Sequence, residues 1–166
     1  LEKCVKDQVR EAATLAVCFA QQTSPEQLYA AMQAVQGAGY VYAHTKPSAK
    51  PTLHKVLFGM SRAAGTREAF AYGQALTGGV ALAREWANRP PNVATPTQLA
   101  EVAKTIVRQG NAGAAKKAFA CEVLDRAKVE KLGMGAFLSV ANGTDEPLRF
   151  IVLHYHGAAT RQQPLV

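Results

Sequence analysis

Three prolines fall within the seven residues from Pro90 to Pro96, between two alanine-rich runs that read as helices. Pro90 lacks the backbone donor a continuing helix needs, and it disfavours helical backbone at Arg89. The helix before it must therefore stop. Pro91 stiffens the link, and Asn92 to Ala94 carry the chain across. Thr95 is then placed to cap a new helix, with Pro96 at its first position and Gln98 where a capping box puts its return bond. A stop, a rigid crossing and a fresh start in so few residues predict a hinge between two structural units.

On the amino-terminal side, residues 2–10 are polar and predict a short helix with Val5 and Val9 on one side. Ala13 to Ala20 is apolar on both alternating faces, which suits a strand covered above and below. Ser24-Pro25-Glu26-Gln27 is a helix start with the capping-box pattern. Leu28, Met32 and Val35 follow at helical spacing, and the helix is expected to run to about His44. Lys46 to Pro51 is a proline-bounded loop. Leu53 to Phe58 is the next strand, so residues 13–59 predict a βαβ unit with a parallel pair and a right-handed crossover. Ser61 to Gly65 is a turn. Thr66 to about Arg89 is the longest helix, with Phe70, Ala81, Leu82 and Trp86 along it.

Beyond the hinge, Thr95 to about Gln109 is amphipathic, with Leu99, Val102, Ala103 and Ile106 inward. Gly110 to Gly113 caps and turns the chain. Phe119 to Leu124 is a strand, Asp125 caps a helix ended by Leu132-Gly133, and Gly135 to Ala141 is a short apolar helix. Asn142 to Pro147 is turn chemistry. Leu148 to Tyr155 is the last predicted complete strand, and residues 156–166 read as a polar loop entering another at Leu165-Val166. The alternation of strand and helix predicts an α/β fold.

This pattern resembles the leucine aminopeptidase family of two-metal peptidases. Asn88-Arg89-Pro90-Pro91-Asn92-Val93-Ala94-Thr95-Pro96, followed by Leu99-Ala100, is similar to the segment joining that family's two domains. Glu122 to Asp125, Leu132 to Gly143 and Pro147 to Tyr155 resemble, in order and spacing, the opening of its catalytic domain. The likeness covers about residues 76–166 and is looser over 1–75. It implies parts of two three-layer α/β domains joined by a long linker helix. Residues 1–65 would be the carboxyl-terminal part of the amino-terminal domain, 66–90 the linker helix and 91–166 the start of the catalytic domain. The intact enzyme would remove N-terminal residues from peptides with two divalent ions, manganese or zinc, as a cytosolic homo-hexamer. The family's metal-holding lysine and acids are expected after Val166, in a Lys-Gly segment followed by an aspartate. This segment is therefore expected to be a scaffold with no catalytic, cofactor-binding or metal-binding residues of its own, and poorly soluble alone.

The other candidates each have a plainer reading. His154 and His156 are two apart on a strand and share a face, but a solvent-edge pair is the expectation. His44 and His54 flank the proline loop and read as surface. Asp145-Glu146 are adjacent in a turn, where side chains diverge, so a solvated turn is favoured over a catalytic acid pair. Gly78-Gly79 lacks the Lys-Ser/Thr that completes a phosphate loop and is expected to allow close helix packing. Leu132-Gly133-Met134-Gly135 lacks the third glycine of a dinucleotide fingerprint, and Met134 and Phe137 are expected in the core. Asn88 and Asn92 are expected to cap helix ends rather than touch ligand. Tyr40 and Tyr42, near Lys46 and Lys50, offer a weak base-stacking cluster. Cys4, Cys18 and Cys121 are odd in number and form no CxxC, which argues against a disulfide framework or zinc finger.

The formal charge of +7 raises DNA binding as an alternative, non-enzymatic function. Residues 1–90 hold ten Lys/Arg against six Asp/Glu, and 91–166 hold nine against six, with Lys116-Lys117 the densest pair. That dispersal predicts a mildly basic surface. No apolar run approaches the ~18 residues of a membrane span, so no membrane partner is expected.

Overall fold

The computed structural model describes residues 3, 5, 7, 12–45, 52–60 and 65–157, which fall into two compact units, Leu1–Arg89 and Pro90–Val166. The loop expected at 46–51, most of the turn at 61–65 and the strand expected at Leu165-Val166 lie outside the described residues. So does most of the helix expected at 2–10, although Lys3, Val5 and Asp7 have helical backbone.

In the first unit, β1 (Thr14–Cys18) pairs in parallel with β2 (Lys55–Gly59), from Thr14 opposite Lys55 to Cys18 opposite Gly59. Helix α1 (Pro25–Gly39) makes the connection. Its start is the expected capping box: Ser24 Oγ accepts from Gln27 N–H at 3.3 Å and Gln27 Oε1 accepts from Ser24 N–H at 3.0 Å. Leu28, Ala31, Met32 and Val35 recur every three or four residues and form its buried face. Val5 and Val35 centre a core that Leu15, Val17, Leu53, Val56 and Phe58 pack against. Alternation therefore turns one face of the sheet inward. The other face, with Ala16, Cys18 and Leu57, is open among the described residues, and Leu57 is 48% exposed. The expected cover on both faces is thus present on one.

Helix α1 ends at Gly39, not near His44, because Tyr40 leaves helical backbone at φ −71° and ψ 126°. Gly37 and Gly39 weaken the last turn, and the Tyr40 side chain is held elsewhere. Helix α2 (Thr66–Ala87) packs on α1 where Gly73 lets it approach. A methyl group added at Gly73 would lie 2.6 Å from Met32 Sδ and 3.2 Å from Tyr29 Cδ1. Tyr29 and Tyr72 meet at 5.1 Å, and Phe70 meets Phe58 edge-on at 6.2 Å. Close packing belongs to Gly73 and not to Gly78 or Gly79, around which the described residues leave open space.

In the second unit, α3 (Pro96–Gly110) starts at Thr95, whose Oγ1 accepts from Gln98 N–H at 3.3 Å; the return bond of a full box does not form. Ala100 and Ala103 are its buried residues, whereas Leu99, expected inward, is exposed. Small side chains bring the helix close to its sheet: Gly110 abuts the Phe119 ring. Asn111 then clamps the loop that follows. Its Oδ1 accepts from the N–H groups of Ala118 and Phe119, and its Nδ2 donates to Phe119 C=O at 2.8 Å.

Strand β3 (Phe119–Leu124) pairs with β4 (Phe150–Tyr155) antiparallel, Phe119 opposite Tyr155 and Leu124 opposite Phe150. Between them lie α4 (Arg126–Lys131), α5 (Gly135–Val140) and a 3-10 turn at Ala141–Gly143. Six helical residues span only about 9 Å, and the turn at Gly133 separates the two helices. The chain so returns to the end of the sheet it left. Asp125 caps α4 by accepting from Lys128 N–H at 3.0 Å. Gly133 closes it at φ 67°, with Gly133 N–H donating to Glu130 C=O and Met134 N–H to Val129 C=O. That is a Schellman ending, and it needs a residue tolerant of left-handed backbone. Val129 is completely buried, and Phe137 of α5 packs edge-on against Phe150 while remaining exposed at its rim.

Candidate functional site

A closed polar network lies at the end of α2, just before the prolines in sequence. Asn88 caps the helix, its N–H donating to Arg84 C=O and its Nδ2 donating to Arg84 C=O at 2.9 Å and to Tyr40 Oη at 3.1 Å. Tyr40 Oη in turn donates to Glu85 Oε2 at 3.2 Å. Glu85 Oε1 accepts from Arg89 Nε and Nη2 at 3.4 and 3.3 Å, an i,i+4 ion pair. Two cation–π contacts brace it: the Arg84 guanidinium lies 4.4 Å from the Tyr40 ring centre, and that of Arg89 lies 4.0 Å from the Trp86 ring centre. Both Glu85 oxygens are thus engaged, so the network offers no idle base.

Past Arg89, Pro90 C=O accepts from both Val93 and Ala94 N–H at 2.9 Å, closing a turn directly before the Thr95 cap. Asn88 is the expected helix cap, while Asn92 is exposed in this turn. The sequence offered Tyr40 only as part of a base-stacking cluster, whereas its hydroxyl and ring belong to this network, and Glu85 was not singled out. The Glu85–Arg89 spacing was visible, but nothing in the sequence joins Tyr40 to a helix end 48 residues on.

Of the remaining candidates, His154 on β4 and His156 one residue past its end are exposed, with rings parallel and centres 5.9 Å apart. His44 and His54 are exposed, Tyr42 lies against His44 at 6.5 Å, and Lys46 and Lys50 lie outside the described residues. Asp145 and Glu146 are exposed in a turn where Glu146 N–H donates to Thr144 Oγ1 at 3.1 Å. Cys18 and Cys121 are free thiols, and Cys4 lies outside the described residues. Among the described residues no three His, Cys, Asp or Glu side chains converge to hold a metal ion. They do not fit a two-ion centre. Among them, too, no helix is long and apolar enough to cross a membrane.

Residues 81–166 match the catalytic domain of the cytosol aminopeptidase family. A "Probable cytosol aminopeptidase" of Verminephrobacter eiseniae (strain EF01-2) is 46% identical over 153 residues, which is 92% of this chain and 28% of that protein. Its namesake in Acidovorax sp. (strain JS42) is 47% identical over 138 residues, 82% of this chain and 26% of that one. The chain therefore spans just over a quarter of the length of these curated relatives. Among solved structures, a mutant of tomato leucine aminopeptidase superposes with a TM-score of 0.74 at 28% identity, over 92% of this chain and 30% of that one. The bottromycin maturation enzyme BotP, solved in complex with Mn, shares the fold with a TM-score of 0.70 at 24% identity, over 92% of this chain and 32% of that one.

Proposed function

Because the chain belongs to the cytosol aminopeptidase family, we propose that it is the joint and framework of a metal-dependent leucyl aminopeptidase. In this reading residues 1–65 close an amino-terminal α/β domain, 66–90 form the linker helix and 91–166 open the catalytic domain. The whole enzyme removes N-terminal residues from peptides with two divalent ions, manganese or zinc, and works in the cytoplasm as a homo-hexamer. Within it these residues position the catalytic domain and supply none of its reacting groups.

The observation that carries the reading is the span of the family match. It begins inside α2, runs across the proline junction and continues through α3, both β-strands of the second unit and α4 and α5. The closed network at Tyr40, Glu85, Asn88 and Arg89 supports a mechanical role at that junction, since a joint needs bonded rather than free polar groups. A two-metal peptidase needs carboxylates that converge on two ions, to activate one water and polarise one carbonyl. The alternative of a basic DNA-binding module gains nothing from the comparisons, which match aminopeptidases.

The test is an assay of the purified 166-residue chain with a leucyl chromogenic substrate and added Mn(II) or Zn(II). No release is expected. Metal-dependent release of the N-terminal residue would overturn the scaffold role.

A further inference from the structure

We propose that the outer face of β4 carries a two-imidazole site for a borderline divalent transition-metal ion, with His154 and His156 as its ligands. Both positions are fixed by the backbone. His154 sits opposite Ala120 in the ladder, and His156 N–H donates to Ala118 C=O at 2.7 Å. Residues two apart on a strand share a face, and here the two rings lie parallel within 3° with centres 5.9 Å apart. Both side chains are exposed. Their cross-strand neighbours, Ala120 and Ala118, carry only small side chains. Among the described residues neither ring has a hydrogen-bond partner, which leaves ring nitrogens available to a ligand. Glu122 lies on the same face of β3, two residues along from Ala120, the partner of His154.

Imidazole nitrogens bind zinc at about 2.0–2.1 Å, so the two ring tips must lean together from their stacked positions. The outer torsion of histidine is broad, which makes that motion cheap. Two protein ligands leave the other coordination positions to water. The site is therefore open and exchangeable, and it favours Cu(II), Ni(II) and Zn(II) over the oxygen-preferring Mg(II) and Ca(II).

The chain carries its own controls in His44 and His54. In imidazole proton spectra, substoichiometric Ni(II) is expected to broaden the His154 and His156 signals and to spare the other two. By calorimetric titration, Cu(II) should bind more tightly than Ni(II) or Zn(II). Losing one outer partner of a metal ligand already costs 10–100-fold in affinity, so His154→Gln and His156→Gln should each weaken Ni(II) binding at least about tenfold. His44→Gln should not. Broadening spread evenly over all four histidines would overturn the site, as would unchanged affinity in His154→Gln with native circular dichroism.

Discussion

At Tyr40 one hydroxyl does two jobs, accepting from Asn88 and donating to the Glu85 carboxylate. Tyr40→Phe removes both bonds and leaves Asn88 Nδ2 with Arg84 C=O alone. A hydrogen bond to a charged group contributes about 1.5–3 kcal/mol, discounted here because the pair is partly exposed. The variant should lose about 1.5 kcal/mol in urea denaturation, while the ring and its contact with Arg84 remain. Ser24 offers a second residue-scale test. Its Oγ donates to Glu26 Oε2 at 2.8 Å, and that bond, helped by Glu26's own N–H, holds the carboxyl below its ordinary value of 4.5. A lowered folded-state value means the contribution is present above the unfolded value and is lost as pH falls through the folded one. Ser24→Ala should move the Glu26 titration upward in carboxyl NMR and weaken the acid dependence. It also removes an N-cap, at about 1 kcal/mol. Ser24's role was legible from the spacing Ser-Pro-Glu-Gln. Tyr40's was not, because it depends on how two helices pack.

Among the elements, α2 separates two uses of glycine. At Gly73 the neighbouring helix occupies the space a side chain needs, so Gly73→Val should cost about 1–3 kcal/mol by overpacking. At Gly78 and Gly79 the described residues leave that space open, so Gly78→Ala should raise helix stability by up to about 1 kcal/mol. Thermal melts of the pair in one background test the contrast. In α4, Val129→Ala empties a fully buried site and should cost about 2 kcal/mol, measured by denaturant midpoint. Element order, the parallel β1–β2 pair and the helix starts could be read from sequence, since caps and prolines act within one turn. The inward face of α3 was read in part: Ala103 is buried as expected, but apolar spacing put Leu99 inward where close approach to the sheet selects Ala100. The antiparallel return of β4 was hidden, because it follows from the shortness of α4 and α5 rather than from any strand residue.

For the molecule as a whole, the family was legible in residues 76–166, where prolines, glycines and capping side chains are tied to backbone geometry. The open face at Ala16, Cys18 and Leu57 shows the opposite case. Alternation said that both sides of β1 are apolar but not what lies against each. The loop at 112–117 has a practical consequence of its own. All six of its residues are exposed, and Asn111 ties its neck at Ala118 and Phe119. Brief trypsin digestion should nick first after Lys116 or Lys117, read by mass spectrometry. The same tied neck makes this excursion a natural splice point: an epitope or fluorophore-accepting peptide grafted there would hang clear of helix and strand alike.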